Sequence, residues 1–417
     1  MSSFSIPLSG LDAYSSALSA VSNNLANLNT TGYKAVTPQF SDLFYQQLGN
    51  SGSGNPIQVG TGSEIGSTET NFSPGSPQST GVPSDVAIQG NGFFIINTNG
   101  VTSYTRDGNF NVDEQGYLTT SNGGLVQGYP AVNGVVNPNG VLGPIAMGSG
   151  QTSPPSATAN VSLGLNLDAS SPVGTTYSAP VEIYDALGAS HQLTYTFTET
   201  AANTWGYTIT APQADFAGAA TNPVTLATGT LNFNGNGVLT TTGPVAVKMP
   251  VGDTWADGAT VPATLFNWQL TGPGGSQLIT QVASPSVVLS NNQDGYPSGS
   301  LSSYSVEQNG AIEGTFSNGR TAALGQIALA NFADLEGLTR NANGEYLASL
   351  ASGGANIGAP DTGGLGTLAG GSLELSNADI STEFTQLIQD ETGYQANSRA
   401  ITTMETVTQS AISLIQP

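Results

Sequence analysis

Apolar residues near the start of the chain recur at helical spacing. The steps between them are 3, 4, 3, 4 and 3 residues, and the stripe consists of Leu11, Tyr14, Leu18, Val21, Leu25 and Leu28. Steps that alternate between three and four are the a/d pattern of a coiled coil. Pro7 suits a first helical turn, and residues 29–32 supply a stop signal. The pattern predicts a helix of about 22 residues, roughly 33 Å long.

A second apolar stripe runs almost to the end of the chain. It consists of Ile380, Phe384, Leu387, Tyr394, Ile401, Met404, Val407, Ala411 and Leu414. Ser376 and Asp379 resemble a capping box at its start. Glu391 and Ser398 interrupt it, and Gly393 inside it costs about 1 kcal/mol relative to alanine in a helix. The pattern predicts a second, less regular terminal helix.

The two stripes allow two interpretations. Each helix could pack on a core as an ordinary amphipathic helix. Alternatively, the two helices pair with each other and with neighbouring copies of the chain, and their apolar residues form a polymerisation interface. Both stripes are narrow and lie at the extreme termini, which favours the second interpretation.

The middle of the chain has the texture of β structure. Asn-Gly and Asp-Gly dipeptides recur, for example at 99–100, 133–134 and 343–344, and they supply the positive φ angles that tight hairpins need. Short apolar or alternating runs lie between them, such as 93–96 and 193–197. No pattern of helix length occurs between about residues 50 and 375. These signals predict β-sandwich or barrel-like domains.

Stretches rich in Gly, Ser, Asn and Pro at 49–81, 148–158 and 351–371 indicate connectors or boundaries. We therefore expect a multidomain, mainly β protein with nested β-sandwich or barrel-like domains and terminal helices that pair as a coiled coil. The predicted domains are a terminal coiled coil (1–30 with 377–417), a connector (31–84 with 366–376), a β domain (85–157 with 295–365) and a central inserted outer β domain (158–294).

The composition restricts the partners of this chain. Charged residues make up 8% of it, well below the roughly 25% typical of soluble domains, so its polar surface can be buried against copies of itself at low desolvation cost. The net charge is −22 and the six basic residues are scattered, which disfavours nucleic acid and anionic membranes. There is no cysteine, no apolar run of about 18 residues and no basic, apolar leader. We therefore expect no disulfide, no membrane insertion and no cleaved signal peptide.

Candidate chemistry is sparse, and we expect no catalytic, cofactor-binding or metal site. His191, the only histidine, lies beside a turn and is interpreted as a solvated side chain. The stretch 107–113 begins like a calcium loop, but Val112 and Leu118 replace the required glycine and glutamate. A strand after an Asp-Gly turn explains that stretch better, although calcium binding stays open. The adjacent carboxylates at 113–114 and 390–391 diverge in any regular structure and so do not form a glycosidase pair.

Several short sequence blocks stand out near both ends of the chain. The first consists of Asn23, Asn24, Asn27, Thr31, Gly32, Tyr33 and Lys34. The others lie at 85–94, 104–110, 128–130, 331–332, 336–338, 371–377 and 394–397. In this order they resemble the family of bacterial flagellar rod, hook and hook-associated axial proteins. Each block is weak alone, but together they are specific.

The resemblance implies a structural subunit that polymerises and has no enzymatic activity or cofactor. Residues 161 to about 290 exceed the length of rod proteins and resemble the central β domain of hook subunits at 181–188, 191–197 and Trp205. The resemblance therefore favours a subunit of the hook, the curved flexible tube that acts as a universal joint and transmits motor torque to the filament. A distal rod or hook-associated subunit is the nearest alternative.

The resemblance also implies partners and a location. The first partner is the chain itself, in a helical homopolymer, followed by the flagellar distal rod protein, the hook cap protein, the hook–filament junction proteins and the flagellar type III export apparatus. The implied location is the extracellular hook and the flagellar basal body, after export without a cleaved signal peptide. The chain departs from the family at residues 391–393, where Glu-Thr-Gly replaces a common Gln-Arg pair before Tyr394.

A secreted β-rich carbohydrate-active or carbohydrate-binding protein is the alternative from a different class. It would account for the acidity, the turns and the aromatic residues of the chain. It leaves the two terminal heptad stripes unexplained, so we rank it lower.

Overall fold

The two ends of the chain are helical and the middle is β. A computed structural model describes residues 4–50, 52, 55–147, 152–218 and 221–415. Helix α1 spans Ser5–Ala26 and helix α2 spans Ile380–Ile415. Within these residues everything between the helices is strand, turn or short 3₁₀ helix, the latter at Gln213–Asp215, Pro273–Gly275 and Ala342–Gly344. The expectation of a mainly β protein with terminal helices is therefore confirmed.

The strands are short and numerous. Those before residue 148 are β1 (Val36–Asp42), β2 (Tyr45–Asn50), β3 (Pro56–Gly60), β4 (Ser63–Thr70), β5 (Pro77–Ser79), β6 (Val86–Gln89), β7 (Phe93–Thr98), β8 (Val101–Thr105), β9 (Phe110–Val112), β10 (Leu118–Thr120), β11 (Leu125–Val132), β12 (Val135–Val136) and β13 (Gly143–Pro144). Those from 152 to 293 are β14 (Thr152–Ser153), β15 (Asn160–Asp168), β16 (Thr176–Tyr184), β17 (Ser190–Ala201), β18 (Thr204–Ala211), β19 (Phe216–Ala217), β20 (Val224–Asn232), β21 (Val245–Val247), β22 (Thr254–Trp255), β23 (Phe266–Gln269), β24 (Ile279–Val282) and β25 (Val287–Gln293). The remainder are β26 (Gly299–Val306), β27 (Ala311–Phe316), β28 (Thr321–Ile327), β29 (Leu329–Asn331), β30 (Thr339–Arg340), β31 (Glu345–Leu347), β32 (Asn356–Gly358), β33 (Thr367–Gly370) and β34 (Ser372–Glu374).

The chain divides into two compact units. The terminal unit combines Met1–Ser149, Ser303–Gly314 and Thr321–Pro417, and the inserted unit combines Gly150–Ser302 with Thr315–Arg320. Both ends of the chain therefore belong to one unit, and the other interrupts it. The finer division into four domains stays a prediction.

The core of the terminal unit is built around the β7–β8 hairpin. Its turn is Asn99-Gly100, whose φ angles of 52° and 86° are those of the tight hairpin turn that the dipeptide predicts. Strand β11 pairs with β7 on one side, and β31 pairs with β8 on the other. The core cluster around this hairpin is rich in aromatic side chains and contains Phe93, Ile95, Tyr104, Tyr129, Phe332 and Tyr346, with small alanines between them.

Two antiparallel pairs bring the N-terminal third of the chain against its last β segment, and two further pairs lie within the N-terminal third itself. Strand β6 pairs with β33 and β5 pairs with β34, so Pro77 lies opposite Glu374. Strand β1 pairs with β4, and β2 forms a hairpin with β3. These pairs anchor the polypeptide immediately after α1 and immediately before α2.

The inserted unit is a sandwich of two sheets. One sheet is antiparallel in the order β16-β17-β18-β20, and the other has the order β21-β23-β15-β24 with β25 also paired to β15. Alternate residues of β17 and β18 point inward, as the sequence pattern predicts. Trp268 of the second sheet packs edge-on against Tyr195 and Tyr207 of the first, at 5.2 Å between ring centroids in both pairs.

Candidate polymerisation interface

The terminal helices α1 and α2 pack against each other in antiparallel orientation. Asn24 Nδ2 donates to Glu383 Oε1 at 3.1 Å near one end of the pair. Near the other end, Gly10 approaches Asn397 so closely that an added Cβ would lie 2.8 Å from the amide oxygen. Residue numbers thus rise along α1 as they fall along α2. The predicted pairing of the two terminal segments is present within one chain.

The buried face of α1 is lined by small residues. It consists of Pro7, Gly10, Ala13, Ala17, Val21 and Asn24. Of the predicted apolar stripe only Val21 is fully buried, and five members are half-buried: Leu11, Tyr14, Leu18, Leu25 and Leu28. Most of the residues in closest contact within the chain therefore lie one position before a stripe residue, and not in the stripe itself. The large side chains keep part of their apolar surface uncovered.

Helix α2 buries acids and exposes apolar side chains. Glu383 and Asp390 have exposures of 9% and 2%, whereas Ile380, Phe384 and Ile388 have exposures of 51%, 47% and 61%. Ile380, Phe384, Val407, Ala411 and Leu414 of the predicted stripe are exposed, and its half-buried members are Leu387, Tyr394, Ile401 and Met404. A helix that packs only within its own chain does the reverse. Contiguous exposed apolar surface of this kind marks an interaction site.

The two buried acids have perturbed ionisation. Burial raises the pKa of Glu383, although hydrogen bonds from Asn24 oppose the shift. Burial also raises the pKa of Asp390, whose Oδ1 accepts a hydrogen bond from Gln386 Nε2 at 3.0 Å. Asp390 Oδ2 has no hydrogen-bond partner among the described residues. The helix pair therefore holds a carboxyl group whose charged form is poorly compensated.

Helix α2 is much longer than α1. It has 36 residues against 22, or about 54 Å against 33 Å. In the observed register Ser5 lies opposite Thr402, so the last turns of α2 extend past the described start of α1. Val407, Ile412 and Leu414 in that extension have exposures of 63%, 53% and 87%. This end of α2 offers apolar surface that α1 does not cover.

Asn24, in the first sequence block, links several segments of the chain through its side-chain amide. Its Nδ2 donates to the Val36 carbonyl at 2.9 Å and to the Glu383 carboxylate. Its Oδ1 accepts hydrogen bonds from the Tyr33 hydroxyl and the Val36 N–H, both at 3.0 Å. One side chain thus joins α1, β1 and α2, with every donor and acceptor used.

The rest of this block forms the turn after α1. Asn27 Nδ2 donates to Asn23 Oδ1 at 2.7 Å, and Thr31 is half-buried. Gly32 has φ +66°, and an added Cβ would lie 2.6 Å from the Arg106 carbonyl carbon, so no larger residue fits there. The guanidinium of Arg340 lies 5.0 Å over the Tyr33 ring. The block therefore works as a structural corner and offers no reactive group.

Lys34 completes the corner in a buried ionic cluster. Its Nζ lies 2.6 Å from Glu374 Oε1, and Arg106 Nη1 lies 3.2 Å from Glu374 Oε2. All three side chains are at most 3% exposed. Burial lowers the pKa of Lys34, and Glu374 opposes that shift. The cluster joins residues 34, 106 and 374, so removal of Glu374 would leave two buried cations without a counter-charge.

Two interpretations of candidate chemistry can be compared with the structure. His191 is 6% exposed, so the interpretation of a solvated side chain is wrong. It lies on the inward face of β17, on the same side as the buried Leu193 and Tyr195. The alternation of apolar and polar residues along this strand was the signal in the sequence for that orientation. The stretch 107–113 forms a turn followed by β9, with Asp107 Oδ1 accepting the Asn109 N–H at 3.0 Å. A strand after a turn, rather than a calcium loop, accounts for these residues.

Comparisons with known proteins find flagellar families at both ends and in the middle of the chain. The family described as Flagella basal body rod protein matches residues 6–34, and Flagellar hook protein FlgE/F/G D1 domain matches 87–164. Flagellar basal body protein FlaE D2 domain matches 150–296, and Flagellar basal body rod FlgEFG protein C-terminal matches 369–414.

Full-length relatives decide the assignment. The chain is 32% identical to the flagellar hook protein FlgE of Salmonella typhimurium, over 99% of this chain and 100% of the relative. The chain belongs to the flagellar hook protein family. The FlgE of Treponema pallidum is also 32% identical, over 98% of both chains. A crystal structure of Helicobacter pylori flagellar hook protein FlgE2 shares 15% identity, with a TM-score of 0.48 over 70% of this chain and 98% of that one.

As a hook protein, the chain is a structural component of the bacterial flagellum. The preference for a hook subunit is confirmed, and neither the rod or hook-associated alternative nor the carbohydrate-active alternative is favoured. Neither helix in the described part of the chain combines the length and apolar character that a membrane crossing requires.

Gly393, in the stretch 391–393 that the sequence singled out, has a local structural role. A Cβ on Gly393 would overlap the ring of Tyr14, so the glycine provides the space in which the tyrosine lies against α2. The same ring packs against Phe40 of β1, at 5.2 Å between centroids. Gly393 therefore belongs to the packing of α1, α2 and β1, and α2 runs through it without interruption.

Proposed function

We propose that the chain assembles into the hook tube through the apolar surfaces of α1 and α2 and works by polymerising rather than by catalysis. The observation that carries this proposal is the inverted burial of α2, with Asp390 inside and Phe384 and Ile388 outside. A heterologous contact that does not close generates an open helical polymer. The sequence-predicted stripes on both helices are the proposed interface between copies.

The composition supports assembly of this kind. With 8% charged residues, neighbouring subunits can bury polar surface and exchange hydrogen bonds with water at low cost as the tube bends. Such exchange is what a universal joint that transmits torque requires. The net charge of −22 opposes close approach of copies, so added salt favours assembly by screening.

The geometry of the single histidine argues against a serine-hydrolase triad. His191 Nε2 lies 3.3 Å from Asp185 Oδ2, and His191 Nδ1 lies 3.4 Å from Asp215 Oδ2. Both ring nitrogens face carboxylates, so neither is free to take a proton from a hydroxyl nucleophile.

We further propose that the connector, residues 31–84 with 366–376, supplies a contact arm. The β2–β3 hairpin within it, together with the residue before β2, exposes a group of apolar side chains: Phe44, Tyr45, Ile57 and Val59. The flagellar distal rod protein, the hook cap protein, the hook–filament junction proteins and the type III export apparatus are the proposed partners besides the chain itself. The central domain, 158–294, is proposed as the outermost part of the tube.

A pair of matched double variants tests the interface. In Phe384→Asp/Ile388→Asp two exposed apolar residues of α2 become acidic, and in Thr385→Asp/Gln389→Asp two exposed polar residues of the same helix do. Both variants add the same charge, so electrostatic repulsion between copies is equal. Each is concentrated at raised salt beside the unchanged chain and imaged by negative-stain electron microscopy.

We expect tubes from the unchanged chain and from the polar-site variant, and monomers from the apolar-site variant. Circular dichroism of both variants checks that the helices remain. Tubes of equal abundance from the two variants would show that this face of α2 is not the contact between copies.

A further inference from the structure

A buried aromatic and acidic cluster lies at one end of the inserted unit. His191, the only histidine of the chain, stacks on Trp255 with ring centroids 3.8 Å apart and planes 16° apart. Trp255 in turn stacks on Phe216 at 5.2 Å. Trp255 of β22, backed by Phe216 of β19, thus fixes the plane of the imidazole.

Three carboxyl groups surround this imidazole. Asp185 and Asp215 face its two nitrogens at 3.3 Å and 3.4 Å. Asp257 completes the group, since one ligand atom each from Asp185, His191 and Asp257 lie within 4.8 Å of one another. Among the described residues this is the single set of three such side chains that converges closely enough to hold a metal ion.

Backbone hydrogen bonds orient the carboxylates. Asp185 Oδ1 accepts the N–H groups of Leu187 and Ala189, both at 2.9 Å, which leaves Oδ2 directed at the imidazole. Asp257 Oδ1 likewise accepts the Ala259 N–H at 2.9 Å. Asp185 and Asp257 therefore each have one oxygen tied to the backbone and the other directed away from it. This arrangement makes the cluster preorganised.

The cluster lacks a compensating cation. Among the described residues no lysine or arginine forms an ion pair with Asp185, Asp215 or Asp257. The ligand atoms of Asp185 and Asp257 lie within 4.8 Å of each other. Two carboxyl groups in contact are stable only with a proton or a cation between them.

The histidine itself is not fully satisfied. His191 Nδ1 is buried and makes no hydrogen bond of good geometry, although Asp215 Oδ2 lies 3.4 Å away. A metal-bound histidine commonly directs its second ring nitrogen at a carboxylate, which holds the ring in the required tautomer. Asp215 stands in that position when Nε2 is the ligand atom.

We propose that His191 Nε2, Asp185 Oδ2 and the Asp257 carboxylate bind a divalent transition-metal ion of the Zn²⁺ type, with Asp215 as the positioning residue for the imidazole. A mixed set of imidazole and carboxylate suits Zn²⁺ better than Mg²⁺ or Ca²⁺, which prefer oxygen ligands alone. Zinc distances of about 2.0–2.1 Å place tetrahedral ligand atoms about 3.3 Å apart. The observed separation of Nε2 and Asp185 Oδ2 is already 3.3 Å, so Asp257, which is exposed, makes the remaining approach.

Such an ion would link a turn and the strand that directly follows it to a third segment of the inserted unit that is distant in sequence. These are the turn at 185–189, strand β17 and the segment after β22. Binding to the folded state alone stabilises that state by mass action. The inserted unit would then be stiffer and harder to unfold in the presence of the metal.

The single histidine makes the experiment direct. The full chain is labelled with ¹⁵N-histidine, freed of metal with a chelator, and titrated with Zn²⁺ while the two imidazole nitrogen resonances are followed. We expect one equivalent to shift the Nε2 resonance to that of a metal-bound nitrogen while Nδ1 keeps its proton. We also expect a higher melting temperature of the inserted unit with Zn²⁺ than with chelator.

Two variants separate this site from general binding. Asp257→Asn removes an exposed ligand and keeps the oxygen that accepts the Ala259 N–H, and we expect at least a tenfold loss of affinity. Glu182→Gln changes the same charge on the opposite face of the same sheet and should bind as the unchanged chain does. Equal affinity of the two variants would show adventitious binding.

The alternative occupant of the cluster is a proton. In that case His191 is an imidazolium that bridges Asp185 and Asp215. Both nitrogens would then remain protonated throughout the titration up to millimolar Zn²⁺, and the melting temperature would not respond. That result would overturn the proposal.

Discussion

Single asparagine side chains join segments that are far apart in the sequence. Asn377 Oδ1 accepts the Ala35 N–H at 2.8 Å, and its Nδ2 donates to the carbonyls of Asn71 and Ser73. Together with Asn24 it satisfies backbone groups at corners where no regular ladder can do so. An amide offers two donors and an acceptor with two lone pairs, which an apolar residue at these positions would lack.

The sequence indicated that these residues matter but not what they contact. The block from Asn23 to Lys34 resembles a family signature, whereas its partners Glu374 and Glu383 lie more than 300 residues away. No periodicity or spacing reports such a pairing. His191 is the opposite case, because the alternation of β17 was visible and predicts its inward orientation.

The contact of Tyr14 with Gly393 gives a prediction at this scale. Alanine is favoured over glycine in a helix by about 1 kcal/mol, but overpacking in a well-packed site costs typically about 1–3 kcal/mol. We therefore expect Gly393→Ala to destabilise the helix pair in the unchanged chain and to stabilise it in a Tyr14→Ala background. Hydrogen exchange of the α2 amides, with the two single variants as controls, measures both effects. The same sign in both backgrounds would mean that the ring does not occupy this space.

At the scale of elements, the sequence predicted where the helices begin and end better than it predicted which face of each helix is buried. The stripe from Leu11 to Leu28 and the stop at 29–32 predicted the extent of α1, which ends at Ala26. The face packed within the chain could not be deduced, because a stripe marks apolar residues whether their partner is the same chain or another copy. Small residues such as Gly10 and Ala17 carry little apolar signal, yet they permit the closest helix approach.

Asp390 makes the helix pair sensitive to pH. Its pKa is raised in the folded chain, so its protonated form is favoured by folding, and this contribution is present in mild acid and lost as the pH rises through the folded pKa. We expect α2 to be more stable at about pH 4.5 than at about pH 7. Asp390→Asn resembles the protonated state and should raise the stability near neutrality and reduce the pH dependence.

Helix melting followed by circular dichroism at both pH values checks this expectation. Glu405→Gln is the matched control, because it removes the same charge from an exposed position of α2. Glu383 keeps its raised pKa in the Asp390→Asn variant, so part of the pH dependence should remain. A variant with the same pH dependence as the control would show that Asp390 is not the group responsible.

At the scale of the whole molecule, the order of segments was more informative than any local pattern. Helices at both ends and turn-rich β structure between them predicted a nested arrangement, and both ends do belong to one unit. Strand partners were not predictable, since pairs such as β5 with β34 join residues almost 300 positions apart. The long chain segment between two such strands carries no sequence signal that identifies them as partners.

Most of the inserted unit can be removed without stretching the chain that remains. Ser156 and Tyr296 exchange two backbone hydrogen bonds of 3.0 Å, so the ends of segment 158–294 are adjacent in space. A short linker of glycine and serine can replace this segment while α1, α2 and the core of the terminal unit stay complete.

We expect the shortened chain to polymerise but to form straight tubes. In a bent tube the spacing between subunits changes in proportion to their distance from the axis, so contacts at the largest radius decide which bends are stable. If segment 158–294 is outermost, its removal eliminates those contacts and leaves the proposed interface of the helices. Electron microscopy of both chains assembled in parallel measures the curvature, with the full chain as control. Curved tubes from the shortened chain would place the origin of curvature in the terminal unit, since the terminal unit would be what remains in them.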